Sequence, residues 1–170
     1  LIKHGVERIK GDIWIDDLQF GLNPLPDGWI WQDIGNYYGA GARGLNWCEN
    51  QYDLMLQPGQ YVGAMTDMIR TEPALIDFSL GNYIRTGEKG SGDHGYIYFA
   101  PNSRTGFATG TIPAGVNSFS ISGSIPNPAK QFASVLAEIK AVGEEVKKLE
   151  QKLEQSGAPY TPGRLPDWKG

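Results

Sequence analysis

The stretch Ile125-Pro126-Asn127-Pro128-Ala129-Lys130-Gln131-Phe132-Ala133-Ser134-Val135-Leu136-Ala137-Glu138-Ile139 divides this chain into two kinds of sequence. Before it, the chain is rich in aromatics, glycine and turn residues. From Lys130 to Gln155 it contains no proline and a single glycine, Gly143. Phe132, Leu136, Ile139, Val142, Val146, Leu149 and Leu153 recur at steps of three or four, the spacing of one apolar helix stripe. Two prolines at 126 and 128 continue neither strand nor helix, so 126–128 reads as a hinge. The expected organisation is a β-rich head over 1–125, the hinge, an amphipathic helix over 129–155 and an extended arm over 156–170.

Straight, the helix would span about 40 Å at 1.5 Å per residue. An isolated helix is marginal in water, so the stripe needs a partner. That partner is the head or a second copy of the helix. Val142 and Leu149 fall at d, Val146 and Leu153 at a. The three-residue step from Ile139 to Val142 follows another step of three, a slip of register beside Gly143. The seven apolar positions are the expected oligomerisation surface, in a dimer or trimer. In the arm, Leu165 and Trp168 among prolines suit either docking on a neighbour or a terminus without fixed structure.

In the head, one or two strands are expected over 1–20, carried by the run at 12–20, and further strands over 29–34, 60–65, 74–80, 82–86, 96–100, 106–111 and 116–125, from short β-branched and aromatic runs between turn signals. Gly35 to Gly44 reads as an open loop, 45–56 is ambiguous, and Gly87 to Gly95 reads as a hairpin-like loop. No strand–helix–strand alternation occurs. The expected fold is therefore mainly β: an antiparallel sandwich or barrel, jelly-roll-like, followed by a coiled-coil-type helix.

Charge narrows the function. The head carries 8 basic and 13 acidic residues, the helix 5 of each, and the whole chain is −4. An acidic head without a basic run argues against nucleic acid. No apolar run reaches the ~20 residues that cross a bilayer, and no signal peptide is evident. The chain begins at Leu1, which suggests an upstream part. A lone cysteine, Cys48, forms no internal disulfide and reads as a small buried hydrophobe.

No catalytic or metal constellation stands out, and no cofactor is implied. His4 and His94 are too scattered for a metal cluster. Ser91, Asp93 and His94 share a loop without triad spacing. Asp16 or Asp17 could ligate calcium or simply end a strand. Asp16, Asp17, Asp33, Glu49 and Asp53 could supply the paired carboxylates of a glycan hydrolase. Aromatics crowd the first half, and Tyr37-Tyr38 in a glycine-rich loop are the best candidates for exposure. Arg43, Asn46, Arg85, Asp93 and Arg104 are candidate polar partners, and Tyr37, Tyr38, Arg43, Asn46, Asp93 and Arg104 form the expected ligand-binding set, suited to sugar stacking.

The run Tyr52-Asp53-Leu54-Met55-Leu56-Gln57-Pro58-Gly59-Gln60-Tyr61-Val62 is similar to the Asp-Leu…Pro-Gly-x-Tyr opening of tail-fibre knob domains of phages and phage-like bacteriocins. That resemblance implies a trimeric β-rich knob, a virion or extracellular location, and other virion proteins or a surface glycan as partners. The function expected is thus a non-enzymatic, fibre-like virion protein. A carbohydrate-binding module and a small glycan-active hydrolase are the alternatives.

Overall fold

In a computed structural model, the residues described are 11–20 and 23–156. His4, with the rest of 1–10, and the arm beyond Ser156 lie outside them, including Leu165 and Trp168. The chain forms two compact units. One is Ile15–Ser134; the other combines 1–14 with 135–170.

The first unit holds two three-stranded sheets. Strands β1 (Gln51–Gln57), β2 (Asp67–Glu72) and β6 (Phe119–Ser124) form one sheet in the order β2-β1-β6, all antiparallel. Strands β3 (Ser79–Gly87), β4 (His94–Tyr98) and β5 (Thr105–Pro113) form the other in the order β3-β5-β4. There β5 lies between its predecessors, parallel to β3 and antiparallel to β4.

The expected antiparallel sandwich or barrel with a coiled coil is therefore corrected to a small mixed α/β fold: two sheets, one containing a parallel pair, and one main C-terminal helix. The sequence offers no helical crossover to announce a parallel pair. Here the β4 excursion takes the place of that crossover, which lets β5 return beside β3.

Alternation explains how the sheets share one core. On β1, Tyr52, Leu54 and Leu56 are buried while Asp53 and Gln57 face water. Ile84, Ile97, Ala108, Ile112 and Ile121 from the other strands join them, with Phe99 and Ile125. Fully burying one such side chain contributes roughly 1.5–3 kcal/mol. Close approach requires glycine at Gly35, where a Cβ would strike the Ile97 carbonyl oxygen, and at Gly110, at φ 111°, where it would strike that of His94.

Several expected strands move or vanish. Residues 12–20 contain no strand, and Leu18–Phe20 is a 3-10 turn. The aromatic run at 29–34 ends in a one-turn helix, α1 (Trp31–Ile34). The strand expected at 60–65 is a turn; the strand itself begins at Asp67. The expected strands at 74–80 and 82–86 give way to one strand, β3, beginning at Ser79. The ambiguous 45–56 resolves into a 3-10 turn, Cys48–Asn50, and β1. Cys48 is exposed, not buried, because that turn lifts it off the core.

Cys48, Glu49 and Asn50 all have φ between 50° and 56°, a left-handed conformation that costs a non-glycine residue roughly 1–2 kcal/mol. Buried Asn50 holds the turn. Its Oδ1 accepts from Trp47 N at 3.0 Å, and its Nδ2 donates to Asn46 Oδ1 at 2.6 Å and to Gly41 O at 3.2 Å.

Helix α2 spans Pro128–Gln155. Asn127 starts it: its Oδ1 accepts from Lys130 N at 2.9 Å, and Pro128 fills the first helical position, where no N–H is needed. Within the first unit, Gln131 is fully buried. It accepts from Ile76 N at 2.9 Å and donates to Ala74 O at 2.6 Å, tying the helix start to the segment before β3. In the second unit the apolar stripe is open: Ile139, Val142, Leu149 and Leu153 are each more than half exposed.

Candidate functional site

The pleat of β3-β5-β4 sends Ile84, Ala108 and Ile97 inward and sets three rows of side chains on the outer face. One row is Gly81, Phe107 and Tyr98; the next is Tyr83, Thr109 and Tyr96; the third is Arg85, Thr111 and His94.

Four rings on this face run in sequence. Tyr83 meets Phe107 edge-on at 6.3 Å between centroids. Phe107 stacks on Tyr98 at 4.9 Å with 14° between planes. Tyr98 meets Trp31 of α1 at 5.9 Å. Tyr83 is 62% exposed and Trp31 48%, so the rings present area to solvent that is ordinarily buried.

Tyr37 and Tyr38, packed edge-to-face at 5.2 Å, are both about half exposed. Partial burial first, then the negative charge of Asp33, with Tyr96, Tyr37 and Asp93 adding, holds the Tyr38 hydroxyl above its ordinary range. The structure thus brings Tyr37, Tyr38 and Asp93 to one neighbourhood, which Tyr96 joins to the aromatic face. Asp93 itself is tied locally, its Oδ1 accepting from Gly95 N at 2.9 Å.

Arg43 and Asn46 sit elsewhere, in framework contacts. The Arg43 guanidinium, itself largely buried, pairs with Asp17 at 3.4 Å and donates to Asn102 Oδ1 at 3.1 Å and Pro126 O at 3.2 Å. A small cavity bounded by Pro24, Phe99 and Pro126 adjoins it, with room for about a water molecule. Asn46 donates to Arg43 O and receives Asn50, so it braces the left-handed turn. Arg104 is exposed, and its carbonyl accepts from Ser79 N at 2.8 Å.

Reading residues one at a time missed the ring row of Trp31, Tyr98, Phe107 and Tyr83. The alternation Tyr96-Ile97-Tyr98 was a usable signal, since it puts both tyrosines on the face opposite a core isoleucine.

Among the described residues, no serine hydroxyl bonds to a histidine or lysine. Ser122 Oγ donates to Asp53 at 2.5 Å, and Ser91 Oγ is buried without a partner. No group of three His, Cys, Asp or Glu gathers there as a metal site. No helix there is long and apolar enough to cross a membrane.

Comparison with known proteins places the chain among peptidases. The family model for D-Ala-D-Ala carboxypeptidase 3 (S13) matches residues 1–161. The chain belongs to that family. Among solved structures it is similar to penicillin-binding protein 4 of Haemophilus influenzae, at 13% identity and a TM-score of 0.47, over 81% of this chain and 27% of that one. The chain thus spans about a quarter of that relative's length. No curated protein matches it.

The family match overturns the expected phage-knob resemblance, and with it the fibre-like function, the virion location and the expectation of no enzyme. It equally overturns the carbohydrate-binding and glycan-hydrolase alternatives. The eleven residues of the tail-fibre likeness are β1 and the turn after it, an arrangement that many β proteins share. No serine in the 170 residues is followed three places on by lysine, the pattern that carries the nucleophile in penicillin-binding proteins.

Proposed function

We propose that this chain is part of a D-Ala-D-Ala carboxypeptidase, which hydrolyses the terminal peptide bond of bacterial cell-wall stem peptides and releases D-alanine. The observation that carries this reading is the family match across 161 residues. The nucleophilic serine then belongs to residues outside this sequence, and the segment serves the same enzyme by contacting its substrate.

The outer face of β3-β5-β4 suits a short peptide. Flat rings accept alanine methyl groups, threonine hydroxyls pair with peptide amides, and Arg85 at one end meets a terminal carboxylate. The Arg85 guanidinium is exposed and already oriented by its bond to Gly63 O at 2.9 Å.

The longer protein containing this sequence should release D-alanine from a peptide ending in D-Ala-D-Ala. No release would sink the carboxypeptidase reading. Separately, a D-Ala-D-Ala tripeptide titrated into the 170-residue chain should shift the amide resonances of β4 and β5, and Phe107→Ala should abolish those shifts. Release with unshifted resonances would leave the activity and remove the face.

A further inference from the structure

We propose that the C-terminal half of α2 pairs with the same helix of a second copy, antiparallel. From Ile139 onward the stripe follows a regular heptad: Ile139, Val146 and Leu153 at a, Val142 and Leu149 at d. Ile139, Val142, Leu149 and Leu153 are each more than half exposed and Val146 is partly buried, and 28 residues of helix carry no proline after Pro128.

Charge chooses the direction. Glu145 and Lys152 occupy g positions, and Glu150 an e position. A parallel pair sets g against e of the next heptad, so Glu145 would face Glu150 of the partner twice. An antiparallel pair sets g against g. Centred between residues 147 and 148, it places Glu145 opposite Lys152 on both sides of the seam. The same centre layers Val142 on Leu153 and Val146 on Leu149, a smaller residue against a larger one in each of these four layers, with Ile139 at the seam's end opposite Ser156. Moving the centre by half a heptad toward the N-terminus brings Glu145 onto Glu145, and by half a heptad toward the C-terminus Lys152 onto Lys152. Among the described residues, neither Glu145 nor Lys152 has an ion-pair partner in its own chain.

Sedimentation equilibrium of the 170-residue chain at micromolar concentration tests this. The unchanged chain should form a dimer. Glu145→Lys and Lys152→Glu should each weaken it about tenfold, since two opposite-charge pairs become like-charge pairs. The double variant Glu145→Lys/Lys152→Glu should restore it. Circular dichroism keeps the test clean, because all three variants should retain the helix. A monomeric parent overturns the proposal. So does a tighter dimer on Glu145→Lys, the parallel result, or a dimer indifferent to both single changes.

Discussion

Among the described residues Tyr52 is the largest fully buried side chain, and its hydroxyl has no hydrogen-bond partner there. Its ring packs directly on Gly123, where no Cβ would fit. An unpaired buried hydroxyl is a desolvation cost of roughly 1–3 kcal/mol. Tyr52→Phe should therefore leave stability unchanged or raise it by about 1 kcal/mol at neutral pH, read from the denaturant midpoint.

The same burial pushes the Tyr52 hydroxyl well above its ordinary range. A raised value favours the neutral form in the folded state. The stability it brings is complete below the ordinary tyrosine value of about 10 and is lost as pH climbs above it. Tyr52→Phe should flatten that alkaline loss; an unchanged slope would assign it to other groups. Nothing in the sequence marked Tyr52 out. Arg43 and Asn50 were equally opaque, since Asp17, Asn102 and Pro126 lie 26, 59 and 83 residues from Arg43. The exposure of Tyr37-Tyr38 was easier to read, because glycines on both sides limit that segment to a single 3-10 turn, Tyr37–Gly39, where an open loop was expected.

At the scale of elements, legibility followed periodicity. Helix α2 is visible in sequence because seven apolar positions repeat over six turns, and Asn127-Pro128 marks its start. Strand β6 was visible because apolar and polar residues alternate, and β4 because aromatic and β-branched residues cluster at 96–100. The run at 29–34 was misread because adjacent aromatics satisfy a strand pattern and a helical turn equally well over six residues. Residues 60–65 were misread for another reason. They do pair, but as a strap along β3, with Gly63 N on Thr86 O at 2.7 Å and Thr86 N on Ala64 O at 2.8 Å.

Gly143 is the weak point of α2, with nothing within reach of an added Cβ. Gly143→Ala should stabilise the helix by about 1 kcal/mol. Thermal melting followed by helical ellipticity would show the gain, and a loss would mean that the glycine is needed for a close approach.

At the scale of the molecule, sheet edges account for what faces outward. The strap at 63–66 covers β3, Asn36 covers β4 by accepting from Ile97 N, and the Asn36–Gly123 bridge covers β6. Among the described residues β2 alone keeps a bare edge, with Met68 and Ile69 exposed on it. Bare apolar edges template association. Ile69→Lys should raise the temperature at which the chain aggregates on heating, while its unfolding midpoint stays within about 0.5 kcal/mol of the parent. This architecture was the least legible level, because the parallel β3–β5 pair depends on where β5 inserts, and no local pattern records that.

The central position of β1 also sets an order of events during synthesis. Gln51 pairs with Ser124 and Leu56 with Phe119, so β1 leaves the ribosome long before its second flank exists. Until Phe119–Ser124 follows, Leu54 and Leu56 have only β2 beside them, and the buried Ile121 and Ile125 are missing from the cluster. A nascent chain arrested ahead of Phe119 carries most of the aromatic surface and cannot seal it. Such a chain is a target for proteases and holding chaperones, and the last strand of the head is the step that releases it.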